Sequence, residues 1–196
     1  QATIAGWRVM FGNLRVERRG YRNSLAALAK AKIAPVSSAN ADPWTATAHR
    51  VEVLLPGWAD DALSEPRTLI ERAEADGPDD PKGLGTYITL TSYPDRLHAQ
   101  FEVARMVSRR LVERFGVAVL LVQHDPSRAA NANPPHCHLV VPGPRRVTAW
   151  SGFGAFVSPL STDKGRDIVI DELEAVLRKR LSHGNGEPDR REETRW

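Results

Sequence analysis

Three histidines carry most of the chemistry this sequence can offer: His124, His136 and His138. The last two flank Cys137 and run directly into the apolar stretch Leu139-Val140-Val141. Alternate side chains of a β-strand share a face, so His136 and His138 project together while Cys137 points the other way. The apolar run at residues 117–123 ends at His124, and a polar loop joins it to the pair. If the two runs are antiparallel neighbours, His124 arrives beside His136 and His138. Three neutral imidazoles on one face suit a divalent metal ion with open coordination positions. Cys137 then reads as a small buried apolar residue and not as a ligand. His49, His98 and His183 have no comparable partners and receive no site role.

The elements that must position these residues can be read from periodicity and breakers. Residues 7–16 mix β-branched and aromatic side chains and form a first strand. After an Arg-rich loop with Gly20, Asn23 or Ser24 caps an Ala/Leu-rich helix over 25–33 that Pro35 halts. Residues 36–48 are a loop and 51–55 a short strand stopped by Pro56-Gly57. A short helix over 68–75, a turn over 77–83 and a strand over 87–93 follow. The clearest helix spans 96–115, with Leu97, Phe101, Ala104, Ser108, Leu111 and Phe115 on one face. Strands 117–123 and 136–141 carry the histidines. A last amphipathic helix covers 168–181, acidic early and basic late. One domain over residues 1–182 and a polar, disordered tail or linker over 183–196 are expected.

At 196 residues the chain is long enough for one substantial core. Its 41% hydrophobic and 26% charged content fits a globular domain. No apolar run approaches the roughly 20 residues of a membrane span, so no membrane partner is expected. One cysteine excludes an internal disulfide and no secretory signal opens the chain, as in a cytoplasmic protein. Net charge is only +3, but the pI near 9.3 accompanies clusters of arginine: Arg15, Arg18, Arg19 and Arg22, then Arg105, Arg109, Arg110 and Arg114. Arginine favours bidentate phosphate contacts, which makes nucleic acid a plausible partner. The alternation of histidines stops at Val140, which excludes the three-step pattern of histidine-triad nucleotide hydrolases. His-Glu-x-x-His, P-loop, Gly-x-Ser-x-Gly and Rossmann signatures are absent as well.

The run Asn133-Pro-Pro-His136-Cys137-His138-Leu139, preceded by His124-Asp-Pro, resembles the metal motif of the MobA/MobL relaxases, HUH-type endonucleases of plasmid mobilisation and conjugation. Similarity extends to His49-Arg-Val-Glu-Val-Leu-Leu-Pro56, Leu69-Ile-Glu71, the helix from Phe101 to Phe115, and Gly152-Phe153-Gly154-Ala155, and so covers most of residues 7–155. The resemblance implies an α+β fold, a mostly antiparallel central sheet with helices packed on one side. It implies that His124, His136 and His138 hold Mg²⁺ or Mn²⁺. It also implies site-specific nicking of single-stranded, origin-of-transfer-like DNA by a tyrosine, leaving a 5′-phosphotyrosine and a free 3′-OH. Other mobilisation proteins would be further partners.

Two departures from the family pattern shape the expectations. The tyrosine that closes a Ser-Ala-x-Ala-x-Ala-Ala-Tyr-Arg type helix has no counterpart in Ser24-Leu-Ala-Ala-Leu-Ala-Lys30-Ala31, where Lys30 or Ala31 stands in its place. Tyr21-Arg22 resembles the Tyr-Arg dipeptide but precedes the helix, which makes Tyr21 the candidate nucleophile. The strand over 87–93 carries none of the family's acidic residues, which leaves Glu52 as the candidate to orient a metal histidine. Arg15, Arg18, Arg19 and Arg22 are the expected phosphate contacts, and Trp150 and Phe153 are candidates to stack on bases. A relaxase-derived DNA-binding or regulatory protein that has lost nicking is the alternative, and a metal hydrolase acting on another substrate is a third reading.

Overall fold

A computed structural model describes residues 2–36, 40–77, 83–94, 96–129, 132–150 and 152–184. The chain opens with strands β1 (Ala2–Ile4) and β2 (Trp7–Leu14), then a small hairpin, β3 (Glu17–Arg18) and β4 (Tyr21–Arg22). Helix α1 (Leu25–Ile33), strand β5 (Arg50–Leu54), helix α2 (Pro66–Ala75) and strand β6 (Gly85–Thr91) follow. The long helix α3 (Leu97–Phe115) leads into β7 (Val119–His124) and β8 (His136–Pro142). A second hairpin, β9 (Arg145–Val147) with β10 (Phe153–Phe156), precedes the last helix, α4 (Asp163–Gly184).

Six strands form one sheet in the order β1-β2-β6-β8-β7-β5, and every pairing in it is antiparallel. The expected α+β class with a mostly antiparallel sheet is therefore what the chain adopts. The helices, however, cover both faces and not one. Residues alternating along β7 and β8 sort into two cores. Leu121, Cys137, Leu139 and Val141 pack with Phe101, Val107 and Leu111 of α3 and Val169 and Leu173 of α4. Leu120, Val122 and Val140 pack with Leu25, Ala29 and Ile33 of α1 and Leu69, Ile70 and Ala73 of α2. Central strands buried on both faces read as continuous apolar runs, which is why 117–123 shows no alternation.

Local chemistry sets the boundaries. Ser24 caps α1, its hydroxyl accepting from the Ala27 amide. Helix α2 begins at Pro66, two residues before the expected start. The carboxylate of Glu65 accepts from the Thr68 amide, and proline at the first turn needs no amide partner. Helix α3 stops at Gly116, whose φ of 66° lies in the left-handed region. Helix α4 starts five residues before its expected boundary and continues to Gly184, overlapping the start of the expected tail; residues 185–196 lie outside the described residues. Most of the expected turn at 77–83 also lies outside them. The short strands β1, β3, β4, β9 and β10 were not anticipated, since two to four residues carry too little periodicity.

The second arginine cluster is structural. Arg110 and Arg114 of α3 both bond the carboxylate of Glu172 on α4, the latter at 2.7 Å. Arg105 bonds both oxygens of Glu52, at 2.8 and 2.9 Å. These pairs join α3 to β5 and α4 through three of the four arginines.

Candidate metal centre

Strands β7 and β8 pair with His124 directly opposite His136, and Val122 opposite His138. All three imidazoles therefore rise from the same face, the one shared with α1 and α2, as the spacing predicts. Their ring centroids lie 5.2 Å (His124–His136), 4.7 Å (His124–His138) and 4.8 Å (His136–His138) apart, with every pair edge-on. One nitrogen from each ring can be chosen so that all lie within 4.8 Å of one another. Among the described residues the group contains no carboxylate and no thiol.

Each ring is held by its second nitrogen. His124 Nε2 donates to the carbonyl of Lys32 at 2.6 Å, and His136 Nδ1 donates to the carbonyl of Pro134 at 2.9 Å. His138 Nδ1 lies 3.0 Å from the hydroxyl of Thr89, its partner across β6. With Nδ1 as the donor there, the lone pairs left over are Nδ1 of His124 and Nε2 of His136 and His138. Such outer partners fix tautomer and ring orientation in metal sites. Burial also keeps the rings neutral. It pushes His138 down to about 2, helped by the charge of Lys32 and by the two neighbouring rings. Burial is likewise the main cause of the lowered values of His124 and His136, against the upward pull of their carbonyl bonds. A neutral, oriented set of three imidazoles, with nitrogens within 4.8 Å of one another, is the donor chemistry that a divalent transition ion fits.

The surroundings are basic. Lys32, in the last turn of α1, lies near enough to depress all three histidines, and its own ammonium is lowered by burial. Arg8 of β2 adds a weaker positive influence on His136. A cavity of about 370 Å³ adjoins the cluster, lined by Val36, His49, His124, Asp125, Asn133 and His136 among others.

The other expected site residues lie elsewhere. Tyr21 sits in the β3–β4 hairpin, 78% exposed, three residues before the capping Ser24. Helix α1 then runs back along the sheet, and only its last turn reaches His124. Tyr21 is thus separated from the histidines by the length of α1, about 13 Å at the helical rise. Arg15, Arg18 and Arg19 line a cleft at the same hairpin, and Arg22 lies beside a second hollow there. Glu52 does not turn toward the cluster. It pairs in register with Leu121, one residue out of phase with the histidines, and faces α3, where Arg105 takes it. Phe153 is not available for base stacking: it is a core residue with the Arg145 guanidinium 5.3 Å from its ring centre. Trp150 is 90% exposed. Cys137 is fully buried on the opposite face, its thiol pushed up to about 12 by burial.

Sequence reasoning missed Thr89 and Lys32. Thr89 takes part in the orienting role expected of a carboxylate, and only the strand register, which the sequence does not state, reveals it. Lys32 enters because a nine-residue helix ends on the cluster.

No protein-family model and no curated protein matches this sequence. A solved structure does, from work on the molecular basis of vancomycin resistance transfer in Staphylococcus aureus. It aligns with a TM-score of 0.71 over 92% of this chain and 95% of that one, at 17% identity. That likeness is one of fold, and it extends over nearly the whole of both chains.

Proposed function

We propose that this protein is a relaxase-like enzyme of DNA mobilisation that binds single-stranded DNA at the three-histidine centre and nicks it with the help of a divalent metal. The observation that carries the reading is the cluster itself: three neutral imidazoles, each oriented by an outer partner and flanked by cations, with no carboxylate in the group among the described residues. The Asn-Pro-Pro-His-Cys-His motif supports it, and so does a fold shared with a structure from work on resistance transfer.

His124, His136 and His138 would hold the ion. When bound, it supplies Lewis acidity and a template for the scissile phosphate. The all-nitrogen donor set favours Mn²⁺ over Mg²⁺, which prefers oxygen ligands. Around it, Lys32 and Arg8 neutralise phosphate charge. Thr89 and the carbonyls of Pro134 and Lys32 keep the imidazoles aimed. Arg15, Arg18, Arg19 and Arg22 would take the backbone of the strand further along, at the hairpin end of the sheet.

A second reading is favoured by one observation, the distance between Tyr21 and the histidines. A relaxase-derived DNA-binding protein would keep the fold and the metal and dispense with the nucleophile. One experiment separates the two. The protein is incubated with 3′-labelled single-stranded oligonucleotides of mixed sequence and Mn²⁺, then resolved on native and denaturing gels. Metal-dependent cleavage that His138→Ala abolishes supports nicking. Retention without cleavage supports the second reading, and neither retention nor cleavage overturns both.

A further inference from the structure

The sequence holds three tyrosines, and their placement on the sheet separates them. Tyr21 lies at the hairpin end, one helix length from the histidines. Tyr87 shares the histidine face of β6, but its ring and hydroxyl lie across β2 on Gly12, where a β-carbon would collide with them. Tyr93 is different. Along β6, Thr89 stands opposite His138 and Thr91 opposite His136. Strand β6 ends at Thr91, and Tyr93 follows two residues later, at most about 7 Å further along extended backbone.

Side-chain bonds tie this segment to the metal ligands. Ser92, between Thr91 and Tyr93, is buried, and its hydroxyl and carbonyl both accept from Gln100 Nε2, at 3.2 and 3.3 Å. The same nitrogen donates to the carbonyl of Pro135 at 2.8 Å. A single amide therefore clamps the residue before Tyr93 to the residue before His136. Gln100 is 1% exposed and lies on the α3 side, so Ser92 turns inward there, away from the histidine face. Tyr93 itself is 86% exposed, on the chain segment that this clamp holds beside the start of β8.

Resting on the nicking reading above, we propose that Tyr93 is the nucleophile of this protein, taking the part of the tyrosine whose place in α1 is held by Lys30 or Ala31. The Tyr93 Oη–phosphorus bond forms as the phosphorus–O3′ bond breaks, and the phenolic proton ends on the departing 3′ oxygen. The products are a 5′-phosphotyrosine and a free 3′-OH, with no further reactant consumed.

The test uses the same 3′-labelled oligonucleotides with Mn²⁺. The wild-type protein should give a covalent adduct on a denaturing gel. Mass spectrometry should place it on Tyr93 within the tryptic peptide covering residues 83–96. Tyr93→Phe should lose the adduct at least 100-fold while keeping Mn²⁺ and oligonucleotide affinities within twofold. Tyr21→Phe should leave adduct yield unchanged. An adduct that survives Tyr93→Phe, or maps to Tyr21 or Tyr87, overturns the assignment. Cleavage that leaves a free 5′-phosphate and no adduct overturns it while leaving nicking intact. Binding without any cleavage overturns it together with the nicking reading.

Discussion

The two faces of strand β8 are separated by a single residue of register, yet they carry opposite chemistry. On the α3 side two acids that face the packing are held by arginine: Glu52 by Arg105, and Glu172 by Arg110 and Arg114. Buried amides complete that side, with Gln123 bonded to Gln100 and to the carbonyl of Leu97. On the other side, His136 and His138 meet His124 beside Lys32, and no carboxylate joins them among the described residues. One face is closed by its own charges; the other presents lone pairs and positive charge to whatever arrives. A strand's two-residue period makes this division sharp, because no side chain of β8 can serve both faces.

The contrast can be broken most directly at the ligands. His138→Ala should remove Mn²⁺ binding in titration calorimetry, a larger loss than the 10–100-fold typical when an outer partner is removed. Retained affinity in His124→Ala, His136→Ala and His138→Ala alike would dissolve the centre. Next in size is the opposite face. Glu172→Gln should cost about 1–3 kcal/mol, since it strips the shared partner of two arginines. That corresponds to a melting point lower by about 2–4 °C per kcal/mol, with Mn²⁺ affinity unaltered.

Thr89→Val should weaken Mn²⁺ by about tenfold with little change in stability, the mirror image of Glu172→Gln. Between pH 6.5 and 5.5 acid should act mainly on the histidine face, because the carboxyl of Glu172, held low by Arg114 and Arg110, stays ionised there. Below pH ~6.5 the unfolded chain gains protons that buried His138, held down to about 2, refuses. The metal-free protein should therefore lose about 1 kcal/mol from this residue between pH 6.5 and 5.5, as read by urea unfolding, and His138→Asn should flatten that slope. Smallest is Glu52→Gln, a partly exposed pair worth at most about 1 kcal/mol and without effect on metal binding.

The sequence disclosed the histidine face because its evidence is local: a His-Cys-His alternation, an apolar run ending in histidine, and a loop short enough to return. The long helix α3 was legible for the same reason, its apolar face repeating over five turns. What escaped depends on pairing between distant segments. Thr89 looks like any strand threonine until β6 is set beside β8. Glu52 looked available because its own strand does not say which neighbour, or which phase, it will take. Tyr21 lies close to the helix α1 in sequence, but it is at the end of that helix farther from the histidines. Chain direction was readable; which end of the sheet it reaches was not.

The bond between His124 and Lys32 has a further consequence. Lys32 contributes one of the last carbonyls of α1, a group that has no amide partner within the helix. The peptide dipoles of α1 sum to a fractional negative charge, on the order of half an elementary charge, at this end. The cluster, which no carboxylate joins among the described residues, is thus given partial anionic character by backbone. A cation seated on the imidazoles would be favoured by the helix terminus and opposed by the side chain of the same residue.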